Sequence, residues 1–210
     1  MTKNEMRNLV KNGYNKGSYH EYYRKNRDLN NLEKSYFDKL LGLIHDNSQI
    51  LDLGCGSGIP FDLYLADNNH HVTGIDISEK QIRLAEKLVP QCSYIVGDYS
   101  CINLNQKYDA VISLYSLFHI PKEEHEGIIR KIYSILKQNG VLIITMGVYN
   151  TEEIEVENDF CGKIKMAWSN YDAETNINII KHTGFKIIKS DNEIDYGSSE
   201  EHMWILAGKE

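Results

Sequence analysis

Cysteine is scarce and scattered. Only Cys55, Cys92, Cys101 and Cys161 occur in 210 residues, at irregular spacing and without a Cys-x-x-Cys pair. A reducing, cytoplasmic home with no metal site is the expectation. No apolar run approaches the roughly 20 residues that cross a bilayer; the longest candidates are strand-like pieces such as Val141 to Met146. The opening Met1-Thr2-Lys3-Asn4-Glu5 lacks the apolar stretch of a secretory signal, and a soluble protein is expected. Positive charge is also in deficit: 23 Lys and Arg against 30 Asp and Glu leave a formal charge of -7. That balance opposes unguided binding to nucleic acid or an anionic membrane. No internal repeat or low-complexity tract is present. The length suits one substantial core, so one domain over residues 1–210 is expected.

What the chain does have is Ile50-Leu51-Asp52-Leu53-Gly54-Cys55-Gly56-Ser57-Gly58, a short apolar strand running into three alternating glycines. Without Cβ atoms, such a turn lets a ligand reach the main chain and aims the free N–H groups of a following helix at it. No Lys-Ser/Thr pair follows, as a phosphate-cradling loop requires, and position 59, where a dinucleotide fingerprint has its third glycine, is Ile59. Downstream, His71-Val72-Thr73-Gly74-Ile75 reads as a second strand ending at Asp76, an acid placed to take the vicinal hydroxyls of a ribose. A nucleoside with a compact polar tail, such as S-adenosylmethionine, fits this pair of features.

These segments resemble the class I S-adenosylmethionine-dependent methyltransferases from about Ile50 to Gly147. Leu51 to Gly58 is similar to the family's first motif, Gly74-Ile75-Asp76-Ile77-Ser78 to its second-strand acid, and Val96-Gly97-Asp98-Tyr99 to the segment that reads adenine. Tyr108 to Ser113 resembles the fourth strand and Leu136 to Ile144 the passage into the fifth, with Gln138-Asn139-Gly140 where many relatives carry Pro-Gly-Gly. Asn139 tolerates the left-handed conformation such a turn often needs. The resemblance implies a doubly wound, mostly parallel seven-stranded Rossmann-like sheet with an antiparallel C-terminal strand. It also implies methyl transfer by direct displacement to a small-molecule acceptor, with S-adenosylhomocysteine as product. The chain would work as a monomer or homodimer.

The resemblance carries over residue by residue. Gly54, Cys55, Gly56 and Gly58 form the expected cradle, Cys55 being a small packing residue rather than a nucleophile. Asp52 lies beneath the methionine portion, or else satisfies buried backbone donors. Asp76 clasps the ribose, its alternative being the N-cap of the next helix, which Ser78 fills better. Ile77 packs on adenine, while Asp98 accepts its amino group or simply forms a turn. Tyr99 and Leu114 complete the cofactor side.

The acceptor side begins where Ser113-Leu114-Tyr115-Ser116-Leu117-Phe118-His119-Ile120-Pro121 leaves the fourth strand at its carboxyl end. This is not the Asn/Asp-Pro-Pro-Tyr/Phe signature with which some relatives methylate exocyclic or amide nitrogen. Displacement at a sulfonium carbon needs alignment and desolvation above all. Where a proton must leave, His119 is the candidate base, against a structural histidine bonded within its loop. The leader, residues 1–30, resembles a lid in which Tyr14 covers the cofactor and Tyr22 the acceptor, with a solvated amphipathic helix as the alternative. Residues 148–171 read as an acceptor-side insertion, and Tyr115 stands on the acceptor side. Lys165 to Thr175 and Glu201-His202-Met203-Trp204 resemble segments of a subset of bacterial methyltransferases, which implies that Trp168, Tyr171 and His202 line the acceptor pocket, the alternative being a cap on the rim of the sheet.

Periodicity places strands near 49–53, 71–75, 93–97, 108–112 and 140–146. Helices fall near 58–68, 79–89 and 123–137, with another through Leu32, Tyr36, Leu40 and Leu43 and a last one from Asp172 to His182. Phe185 to Lys189 and His202 to Ala207 are expected as a closing pair of strands. A cofactor-binding regulatory or scaffold protein without turnover is the alternative from another class, and a nicotinamide oxidoreductase would have to bind despite Ile59.

Overall fold

A computed structural model describes residues 1–101, 104–194 and 201–210. Its main sheet is built from β1 (Gln49–Leu53), β2 (His71–Asp76), β3 (Ser93–Val96), β4 (Tyr108–Ser113) and β5 (Leu136–Gly147). It is completed by β8 (Phe185–Ile194) and β9 (Glu201–Lys209), while β6 (Glu155–Phe160) and β7 (Ile164–Trp168) form a separate hairpin. The helices are α1 (Lys3–Lys16), α2 (Asn31–Leu41), α3 (Phe61–Asp67), α4 (Glu79–Leu88), α5 (His125–Ile135) and α6 (Ala173–His182). The strand order is β3-β2-β1-β4-β5-β9-β8, parallel throughout except that β9 runs antiparallel to both neighbours. This is the seven-stranded Rossmann-like sheet with its antiparallel C-terminal strand.

Consecutive residues of β1 and β4 are buried because both faces of the sheet are covered. Alternation decides the face. Leu51, Val111, Leu142 and Ile205 pack toward Ile129 and Ile132 of α5 and Ile180 of α6. Ile50, Ile112, Ile143 and Leu206 pack toward Tyr36, Phe37 and Leu40 of α2 and Phe61 and Leu65 of α3. Each such aliphatic side chain stabilises the fold by about 1.5–3 kcal/mol on burial. At the edge, Phe185 begins β8 straight after Gly184, whose φ of +107° ends α6.

Element boundaries shift in two places. Leu43 lies beyond α2 and is 43% exposed. β5 starts at Leu136, because pairing with Tyr108 extends it through the Asn139 turn, where φ is +62°. The larger difference is the leader, which holds an ordered helix. Thr2 and Glu5 cap α1 reciprocally, and its Met6 and Val10 pack on Met166 and Ala167 of β7 rather than facing water. Among the described residues, no helix is long and apolar enough to cross a membrane.

Candidate active site

The strand order reverses between β1 and β4, and in an open α/β sheet a crevice opens beyond the carboxyl ends of the two strands that flank the reversal. Here Ser113 Oγ donates to the Leu53 carbonyl at 3.0 Å, tying the two strand ends together. One cavity occupies that crevice. Its walls include Asp52, Gly54, Cys55 and Gly56 from the glycine turn, Asp76 and Ile77 after β2, Asp98 and Tyr99 after β3, Leu114, Tyr115 and His119 after β4, and Tyr14 from the lid.

The glycine turn needs its glycines for different reasons. Gly54, Gly56 and Gly58 have φ of +87°, +56° and +73°, the left-handed region in which a Cβ is strained. The Gly54 and Cys55 amides both donate to the Ile75 carbonyl, at 2.7 and 3.1 Å, which curls the chain back over β2. A Cβ on Gly54 would lie 2.0 Å from Ser116 Oγ, so glycine here lets the β4 loop close against the turn. A Cβ on Gly56 would meet nothing nearer than 3.9 Å, leaving open main chain. Gly58 is different: a Cβ there would lie 2.5 Å from the Tyr94 hydroxyl, and the residue does not line the cavity. It packs against Tyr94 at the foot of the turn. Burial pushes the Cys55 thiol well up, with Asp62, Asp76 and Asp52 adding to the effect, and a protonated thiol suits a packing residue.

Asp76 is held by its own backbone surroundings. Its Oδ2 accepts the Gly56 N–H at 2.9 Å and its Oδ1 the Ser78 N–H at 2.8 Å. Burial nevertheless raises its carboxyl to about 6, against the lowering effect of those two bonds. A carboxylate fixed at both oxygens yet poorly solvated favours further hydrogen-bond donors from a ligand. Ser78, not Asp76, caps α4, accepting from the Gln81 N–H at 3.2 Å.

Asp98 is already engaged. It accepts from the Ser100 N–H and hydroxyl at 2.9 and 2.6 Å and pairs with Arg7 Nε at 2.8 Å. Arg7, on α1, also pairs with Glu124. Tyr99, with its hydroxyl 3.0 Å from Ser116 Oγ, braces the β4 loop and lines the cavity beside Asp98.

The N-terminal segment is fastened to the glycine turn and α4 at several points. Asn15 Oδ1 accepts from Ser78 Oγ at 2.8 Å and from the Lys80 N–H at 3.1 Å, while Lys80 Nζ donates to the Gly17 carbonyl at 2.7 Å. His20 Nδ1 lies 2.9 Å from Ser57 Oγ in the glycine turn. The chain then makes one wide turn, with the Lys25 N–H donating to the His20 carbonyl at 2.7 Å. That turn swings Arg24 inward, where its guanidinium lies within 5.2–5.4 Å of the Tyr19, Phe61 and Tyr115 ring centres.

At the far end, His119 Nδ1 is 2.9 Å from the Ala167 carbonyl, which can only accept. Nδ1 therefore carries the proton. Burial lowers the ring's pKa to about 4, so it is neutral, Nε2 holds a lone pair, and the Tyr14 hydroxyl 2.7 Å away donates to it. Tyr115 has φ of +53°, strain held in place by its N–H donating to Thr145 Oγ1 at 2.5 Å and its hydroxyl donating to Glu193 at 3.1 Å.

Four expected acceptor residues are not brought into this cavity. Tyr22 is 66% exposed, carried outward by the same turn that brings Arg24 in. Tyr171 packs edge-on to His125, beneath the Lys122 ammonium. Trp168 and His202 line a separate groove beside β5 and β9, touching the site only through ring contacts, Trp168 to His119 at 5.6 Å and His202 to Tyr115 at 5.4 Å. Conversely, Arg7, Tyr19, Arg24, Phe61 and Ser116 line the cavity without having been singled out by sequence. A capping-box signal, Thr2-x-x-Glu5, was available for the helix that presents Arg7. No comparable signal marks Arg24.

The comparisons with known proteins fall on the same elements. A family model described as a methyltransferase domain matches residues 50–140, from β1 to the turn inside β5. An uncharacterised methyltransferase of Oceanobacillus iheyensis is 24% identical over 164 residues, covering 77% of this chain and 68% of its own length. A sterol 24-C-methyltransferase of Gibberella zeae is 27% identical over 183 residues, covering 79% of this chain; the chain spans 46%, about half, of that relative's length. The magnesium protoporphyrin IX methyltransferase of Synechocystis PCC 6803, solved with bound S-adenosylhomocysteine, shares the fold at a TM-score of 0.73 and 18% identity, covering 98% of this chain and 100% of its own. Motif, sheet order and matched segment coincide at the crevice: residues 50–140 carry a methyltransferase domain, and the sheet has the fold of S-adenosylmethionine-dependent methyltransferases.

Proposed function

We propose that this chain transfers a methyl group from S-adenosylmethionine to a small-molecule acceptor held under the N-terminal lid. The observation that carries the reading is the single cavity bounded at one end by open main chain and three aspartates and at the other by Tyr14, Tyr19, Tyr115 and His119. The residues present fit the cofactor. Gly56 offers bare backbone, Asp52 keeps a buried oxygen without a donor, and Ile77 and Leu114 are apolar walls for a base.

Bound S-adenosylmethionine supplies an electrophilic methyl on a sulfonium sulfur, which a nucleophile takes by direct displacement. The chain's tasks are then to hold and to dry. Asp76 accepts the ribose hydroxyls and Asp52 faces the ammonium of the methionine end. Asp98 and Tyr99 border the adenine, with Arg7 setting the Asp98 carboxylate in place. The lid excludes water, which strengthens each of these contacts. His119 is too weak a base to be charged at neutral pH, and its Nε2 is covered by Tyr14. The pair therefore orients an acceptor that arrives already nucleophilic, through the oxygen of Tyr14, rather than abstracting a proton by the imidazole alone.

Radiolabelled methyl transfer into fractions of a metabolite extract tests the reading. Acceptor-dependent incorporation is expected; cofactor binding without any turnover would overturn it in favour of a scaffold. With an acceptor in hand, Tyr14→Phe and His119→Gln should each lower kcat by about 10- to 100-fold, the worth of one orienting hydrogen bond. The double variant should be little worse than either, while S-adenosylhomocysteine affinity stays within about threefold. Steady-state kinetics on the three variants decide this. Additive losses would show that the two side chains do not act as a unit.

A further inference from the structure

Behind Asp52 lies a second carboxyl that the proposed chemistry does not use. Asp62, on the first turn of α3, is fully buried, and among the described residues neither of its oxygens, nor Oδ1 of Asp52, has a well-aligned hydrogen-bond donor. The two side chains face one another beneath the glycine turn, Asp52 alone reaching the cavity. Tyr94 of β3 places its hydroxyl beside Asp62, and a Cβ on Gly58 would lie 2.5 Å from that hydroxyl and 3.3 Å from Asp62 Oδ2. The other titratable groups facing the pair are Asp76 from the end of β2, Cys55 in the turn and Cys92 just before β3. Arg24 acts from the lid side on Asp52.

Two carboxylates in contact, shielded from water and short of donors, cannot both ionise. Burial pushes Asp62 up to about 7, against the lowering effect of hydrogen bonding with Asp52 and Tyr94, and burial together with the neighbouring Asp62 pushes Asp52 well above the ordinary carboxylate range. The pair titrates as a unit. We propose that Asp62 is a positioning residue that shares one proton with Asp52 in the free protein, and that the ammonium-bearing methionine end of the cofactor expels this proton on binding. The inference rests on the function proposed above. Its charge balance is simple. The pair with its proton carries one negative charge; with the proton released to solvent and a ligand ammonium in its place, the sum is unchanged. No covalent bond other than the O–H is broken. A cation thus enters a buried site without leaving either carboxylate uncompensated, and Asp62 fixes which Asp52 oxygen turns toward the ligand.

Isothermal titration of the full chain with S-adenosylhomocysteine at pH 7, in phosphate and in Tris, reads the proton directly through the dependence of heat on buffer ionisation. Wild type should release about one proton per ligand, and Kd should tighten about tenfold from pH 6 to 7. Asp62→Asn, whose amide donates to Asp52 and keeps it ionised, should release none. Its Kd should move less than about threefold over the same range, the remainder coming from Asp76. A wild-type control does not depend on that variant folding: 5′-methylthioadenosine keeps the nucleoside and the sulfur but lacks the amino-acid end, and should bind without proton release. Binding of S-adenosylhomocysteine with no proton released, or equal release by 5′-methylthioadenosine, overturns the shared proton while leaving the proposed function standing. Failure to bind either cofactor form removes the functional reading itself, and this inference with it.

Discussion

Asp76→Ala is expected to weaken binding of S-adenosylmethionine and S-adenosylhomocysteine by at least about 100-fold. Each hydrogen bond to a charged acceptor contributes about 1.5–3 kcal/mol, so losing two ribose hydroxyl contacts costs about 3–6 kcal/mol, where 1.4 kcal/mol is a factor of ten. The same carboxylate holds the Gly56 and Ser78 amides, so alanine also loosens the open main chain of the turn. Asp76→Asn, which can still accept at one oxygen, should fall between wild type and alanine. Titration calorimetry on the three proteins, with circular dichroism to confirm the fold, is the measurement. An alanine variant that binds within about threefold of wild type would mean the ribose is held elsewhere.

The second large effect is expected at Gly54→Ala. The added Cβ would sit 2.0 Å from Ser116 Oγ and 2.4 Å from Ser116 Cβ, on a residue whose φ is +87°. Overpacking and backbone strain together place the loss of stability at about 2–4 kcal/mol, which for a domain of this size lowers Tm by roughly 5–15 °C. Because Ser116 also braces Tyr99, cofactor binding should fall with it. Gly54→Ala combined with Ser116→Gly should recover the steric share of the loss but not the strain. Thermal unfolding of both variants separates the contributions; a single variant as stable as wild type would show that the turn and the β4 loop do not meet as closely as described.

The glycine-turn half of the cavity was legible because it is written in local patterns. β1, β2 and β4 are short apolar runs that can only be buried strands, and the glycines and Asp76 come directly at their ends. The acceptor half depends on contacts between distant segments. The β6-β7 hairpin leaves no strand signal within the 148–171 insertion, because Glu155 to Phe160 is polar and largely exposed and pairing with β7 rather than burial makes it a strand. Among Tyr14, Tyr19, Tyr22 and Tyr23, sequence alone does not say which faces inward. The wide turn after His20 shifts the helical register and sends Tyr22 out and Arg24 in. The surroundings of Gly58 were hidden for a related reason: its spacing matches the cradle, but the space above it is taken by Tyr94, on a strand more than thirty residues away.

The Asp98 position illustrates how a sequence motif and a tertiary contact share one residue. The turn after β3 orients the carboxylate through Ser100, as turn chemistry predicts, yet Arg7 from the lid neutralises it. One helix therefore spans both ends of the cavity, since α1 carries Arg7 to Asp98 and Tyr14 to His119.

A crystal structure of the chain with S-adenosylhomocysteine tests the central claim most directly. The account predicts both ribose hydroxyls within hydrogen-bond distance of the Asp76 carboxylate, the base between Ile77 and Leu114, and the amino-acid end over Gly54 and Gly56 beside Asp52. A ligand seated in another crevice, or one lying in this cavity with its sugar turned away from Asp76, would contradict it.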